Sequence, residues 1–152
     1  MGEQNYYIVL FLVVFTVQFY LDYRQLSKEK CDNPLYTIVL LIHHYLSGFL
    51  YFGPLFFNFP EIHLLISVIV VMHWQCNNNE CEITNINNEL CQLGDEYEFK
   101  DFIYWTSIED RFPHIHYYIL FFWIVYNSIV IYQKYASPRV KPGKGKKRYL
   151  LF

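Results

Sequence analysis

Uncharged apolar runs, rather than amphipathic stripes, dominate the chain. The first runs from Tyr6 to Leu21, the second from Leu35 to Phe57, the third from Ile62 to Cys76 and the fourth from Ile115 to Tyr132. A helix rising 1.5 Å per residue needs about 20 apolar residues to cover roughly 30 Å of hydrocarbon. The pattern therefore predicts an all-α integral membrane protein of about four spans, 6–21, 35–57, 62–76 and 115–132. The third run is the shortest and the first candidate for an incomplete crossing.

The breaks between runs carry turn chemistry. Asn58, Phe59 and Pro60 separate the second and third runs so closely that the two read as a helical hairpin. Asn77, Asn78 and Asn79 come after the third, and asparagine accepts left-handed backbone, so these residues should end the helix and turn the chain. Pro113 marks the start of the fourth run. Pro54 lies near the end of the second, where a kink costs least, and Ser47 and Gly48 leave room for a close neighbour. No Lys or Arg precedes the first run and no small-residue cleavage pattern comes after it, so it reads as a retained anchor.

Charge turns the span count into an orientation. From Lys134 onward there are seven basic residues and no acid, the strongest positive-inside signal in the chain. The loop 77–112 holds nine acids against two bases. Four spans then place both termini on the cytosolic-type side, with the loops 22–34 and 77–112 together on the other. Residues 1–136 form the membrane domain and 137–152 an extended basic tail, broken by Pro142, Gly143 and Gly145. Arg139, Lys141, Lys144, Lys146, Lys147 and Arg148, followed by Tyr149, Leu150, Leu151 and Phe152, suit contact with lipid headgroups or a partner protein. The aromatic content, 21% of the chain, fits belts of Tyr and Trp at both membrane surfaces.

Candidate chemistry is sparse. Cys31, Cys76, Cys81 and Cys91 all fall on the non-cytosolic face, where disulfides form, but their spacing leaves the pairing open. His73, Cys76, Cys81 and Cys91 could alternatively ligate zinc, although paired C-x2-C knuckles are missing. His43, His44, His63 and His73 are read first as helix-to-helix hydrogen-bonding groups, with haem ligation or proton relay as the sharper alternative. His114 and His116 lie at an interface. In the acidic loop, Leu90, Leu93 and Tyr97 share a helical face, as do Phe102, Trp105 and Ile108, which predicts a segment lying on the bilayer or against a partner. No nucleotide loop, Ser-His-Asp set or H-E-x-x-H pattern is present. The expectation is a protein that is not an enzyme, with no cofactor, no resident metal, no specific nucleic acid and no small-molecule substrate.

The stretch His73, Trp74, Asn77, Asn78, Asn79, Cys81, Ile83 and Thr84 resembles a recurrent piece of small multispanning membrane proteins of large algal and giant DNA viruses. The resemblance covers about 20 residues, together with the general character of the preceding hairpin. It implies a setting: a virion inner membrane, derived from host endoplasmic reticulum, beneath an icosahedral capsid. The expected function is a structural protein joining that membrane to minor capsid proteins. The alternatives are a small accessory subunit of an organellar membrane complex and a haem or redox membrane protein.

Overall fold

The computed structural model describes residues 3–26, 31, 33–92, 102–106, 108 and 111–136. The basic tail 137–152 and residues 93–101 of the acidic loop, with the expectations placed on them, lie outside the described residues. Among the described residues all regular structure is helical. The helices are α1 Glu3–Leu26, α2 Pro34–Phe56, α3 Pro60–Cys76, α4 Glu82–Cys91, α5 Phe102–Trp105 and α6 Ile115–Ala136. Three stretches, Asn5–Arg24, Pro34–Phe56 and Ile115–Ala136, are long and apolar enough to cross a membrane. The apolar helix α3 has 17 residues.

Helix α1 outruns the expected 6–21 span because Asp22 is not a loop residue. Phe11, Phe15, Gln18 and Asp22 are all buried and recur at helical spacing, forming one face against α2. Away from that face Val13, Val17 and Leu21 are apolar and exposed. The two helices run antiparallel, since Phe11 meets Phe56 and Phe57 while Asp22 meets His44. Gly48 makes the approach close, as expected: a Cβ there would stand 2.5 Å from the Phe15 ring. Gly48→Val should therefore destabilise the α1–α2 pair by about 1–3 kcal/mol through overpacking. Loss of helical ellipticity at a lower denaturant concentration, with the protein in detergent, is the check.

Helix α2 is central and touches α1, α3, α4 and α6. The hairpin to α3 turns through Phe57, Asn58 and Phe59, and Pro60 opens α3 at the position where its missing N–H costs nothing. Helices α3 and α6 pair antiparallel along most of their length. Trp74 packs on Tyr117 at one end, ring centroids 5.3 Å apart. Lys134 Nζ meets Glu61 Oε1 at 2.6 Å at the other. Lys134 therefore belongs to α6, which extends past the expected residue 132.

The asparagine run behaves as its chemistry predicts. Asn78 and Asn79 have φ of 51° and 68°, and α3 ends in this turn. Beyond the turn the chain folds back as α4 onto the N-terminal half of α2. Leu90 and Cys91 pack against Tyr36 and Leu40, and Asn33 Nδ2 donates to the Leu90 carbonyl. Further on, Ile103 of α5 is buried with Leu50, Tyr51 and Leu120. Apolar residues of the acidic loop thus serve the bundle interior, because α2 projects enough bare surface to receive them.

Candidate functional site

Two buried polar ties help to hold the long helices together. The first is built around a proline. Pro54 has no N–H, so the Leu50 carbonyl one turn earlier lacks its helical donor. His63 Nε2 donates to that carbonyl at 3.1 Å and to the Phe49 carbonyl at 3.1 Å. With Nε2 the donor, Nδ1 is the acceptor, and it receives Asn127 Nδ2 at 2.9 Å and Ser67 Oγ at 3.3 Å. Gly53 permits the approach, since a Cβ there would lie 2.9 Å from the His63 ring. Trp123 Nε1 adds a 2.8 Å bond to the Tyr51 carbonyl. One histidine of α3 thereby joins α2 to α6, in a setting where an unsatisfied backbone group costs several kcal/mol.

The second tie joins α1 to α2. His44 Nε2 and Asp22 Oδ2 lie 3.1 Å apart, both side chains fully buried. His44 and His63 thus act as helix-to-helix hydrogen-bonding groups. Their bonds send them to different neighbours, and His43 faces a third.

A chamber of about 240 Å³ opens at the end of the bundle that carries α4. His43, Ser47 and Tyr51 reach it from α2, Trp74 from α3, Asn79 and Cys81 from the turn, Thr84 from α4, and His114, His116 and Tyr117 from the start of α6. A more apolar space of about 190 Å³, sharing His43, Tyr51, Trp74 and Cys81, extends it along Leu46, Leu50 and Val70 past His73. Within the chamber the Cys81 Sγ lies 3.4 Å from His43 Nε2, and Tyr51 Oη lies 2.7 Å from His116 Nδ1. His114 is held at φ 67°, in the left-handed region that non-glycine residues seldom occupy.

The structure resolves the cysteine pairing. Cys31 and Cys91 form a disulfide with Cα atoms 5.2 Å apart, inside the usual bridging range. Cys76 and Cys81 are free thiols, so the four candidates yield one bridge. This also removes the ligand set of His73, Cys76, Cys81 and Cys91, because Cys91 has no thiolate to offer. Among the described residues no three His, Cys, Asp or Glu side chains are grouped to hold a metal ion.

Several residues of these sites escaped the sequence reading. Asp22 looked like the first residue of a loop. Ser67 and Asn127 are polar residues inside otherwise apolar runs. Their signal was spacing: Leu120, Trp123 and Asn127 recur on one face of α6 and are all buried. No protein-family model matches the chain, and no curated protein and no solved structure matches it significantly.

Proposed function

We propose that this chain is a four-span structural membrane protein that fixes a bilayer to a protein layer, as an inner-membrane component of a large DNA virus would fix its membrane to minor capsid proteins. The observation that carries the reading is the use to which its intramembrane polar groups are put. Asp22, His44, His63, Ser67 and Asn127 are spent on fastening one helix to the next. On α1 and α6 Val13, Val17, Phe121, Phe122 and Ile129 are apolar and exposed, as contact with lipid tails requires. That distribution suits a rigid anchor.

Helix α3 is the fourth span of this reading. Its 17 residues rise about 26 Å, somewhat short of the hydrocarbon thickness. It is supported along its length by α6, with the Glu61–Lys134 pair at one end and Trp74 at the other. The disulfide and the chamber then face away from the cytosolic-type side, and the basic tail faces toward it.

Topology and setting are tested separately. A membrane-impermeant maleimide should label Cys76, at the end of α3, from one side of sealed vesicles and an Asn58→Cys variant, just before α3, from the other. Labelling of both from the same side would refute the crossing of α3. Purified virions should contain the protein in many copies, retained with the capsid after mild detergent. Its absence from virions, or its recovery with an organellar membrane complex, would replace the capsid reading with that of an accessory subunit.

A further inference from the structure

We infer that Cys81 is a nucleophilic thiol, activated by His43, that exchanges with a small disulfide admitted to the chamber. The site is assembled from parts distant in sequence. The stretch His73 to Thr84 turns out to be a chamber wall: Trp74, Asn79, Cys81 and Thr84 line it, and His73 and Ile83 line its extension. The opposite wall is His43, a residue only 6% exposed, whose Nε2 lies 3.4 Å from Cys81 Sγ. A thiol with a base in hydrogen-bond reach, beside a cavity large enough for a reactant, is the arrangement nucleophilic catalysis requires.

Two further features of the site bear on the exchange. Cys81 is the N-cap of α4 and makes no side-chain capping bond. The first N–H groups of α4 therefore have no cap from that side chain, and a developing negative charge on sulfur sits at the positive end of the helix. The base is also held in place, because α2 is pinned on its other faces by the Asp22–His44 tie and by His63. Cys76, five residues away and exposed, provides an internal reference.

The exchange needs no oxidant beyond the small disulfide itself: Cys81 is oxidised to a mixed disulfide as one sulfur of that disulfide is reduced to a thiol. With His43 in the tautomer that carries its proton on Nδ1, the Cys81 S–H gives its own proton to Nε2. The sulfur attacks one sulfur of the small disulfide, the new bond joins Cys81 to that sulfur, and the old sulfur–sulfur bond breaks. The departing thiolate recovers the proton from His43. The Cys31–Cys91 bridge lies on the same end of the bundle, so a disulfide co-reactant belongs to the same redox environment.

The test uses the full chain in detergent or nanodiscs, with glutathione disulfide as the probe and peptide mass mapping as the readout. Cys76→Ser and Cys81→Ser each leave one free thiol. At neutral pH the partly buried Cys81 should acquire the adduct on the order of tenfold faster than the exposed Cys76. His43→Gln should erase that advantage and leave the Cys76 rate unchanged. Retention of the Cys31–Cys91 bridge in the same map reports that each variant is folded. Equal or slower reaction of Cys81 would overturn the proposal, as would an unchanged rate in a folded His43→Gln protein. If His43→Gln loses the bridge, the comparison of the two single-thiol proteins decides alone.

Discussion

Replacing Cys31 and Cys91 together by serine should cost this protein about 2–4 kcal/mol of stability, with α4 the first element to leave. The two cysteines stand 60 residues apart in sequence, so the bridge closes a long loop that spans α2 and α3. The chain entropy of a loop of that size amounts to about 4 kcal/mol. The lower figure applies because apolar helices held in a bilayer already restrict the unfolded chain. Apart from the bridge, α4 is held by its packing on α2. Asn87 and Asn88 are buried on it, Leu90 touches the Tyr36–Leu40 cluster, and Asn33 offers one 3.4 Å bond. In the double variant, hydrogen exchange over residues 82–91 should accelerate while residues 115–136 stay protected. Unchanged protection of α4 would mean that its polar seat on α2 suffices, and that the bridge stabilises the remainder instead.

That asymmetry between α4 and the longer helices also explains how much could be read in advance. Spans announce themselves because hydrocarbon demands a composition, and Leu35–Phe57 or Ile115–Tyr132 satisfies it residue by residue. The asparagine turn was equally visible, since Asn78 and Asn79 occupy the left-handed backbone their side chains tolerate. Helix α4 had no such advertisement. Its sequence EITNINNELC is polar, and it buries asparagines where a stripe of leucines would have been legible.

Asp22 misled for a related reason. Next to Tyr23 and Arg24 it resembles a membrane-surface residue, and only the location of His44 on α2 makes its burial intelligible. The chamber was half visible. His73 to Thr84 stood out as a motif, but the chemistry of Cys81 depends on His43, 38 residues earlier, and on how far α4 folds back. Partners that meet across helices depend on register and rotation, which apolar composition leaves open.

His63→Leu should destabilise the bundle by about 3–5 kcal/mol, because three groups lose their partner at once, each worth about 1–3 kcal/mol when buried. They are the Leu50 carbonyl, the Asn127 amide and the Ser67 hydroxyl. The first of these losses has a specific remedy. Gly53 has an N–H to offer the Phe49 carbonyl, whereas Pro54 has none to offer Leu50. Pro54→Ala supplies that N–H, so Leu50 no longer needs a histidine from another helix. In the wild-type background Pro54→Ala should then be nearly silent, since the carbonyl is already served. In the His63→Leu background it should recover about 1–3 kcal/mol, a clear departure from additivity between two residues of separate helices. Thermal or detergent unfolding of the four proteins measures the coupling directly. Strict additivity would mean that His63 is kept for Asn127 and Ser67 and that the kinked carbonyl finds another donor. Coupling of the expected sign would identify the proline and the histidine as one device: a break in α2 whose exposed acceptor is used to bind α3.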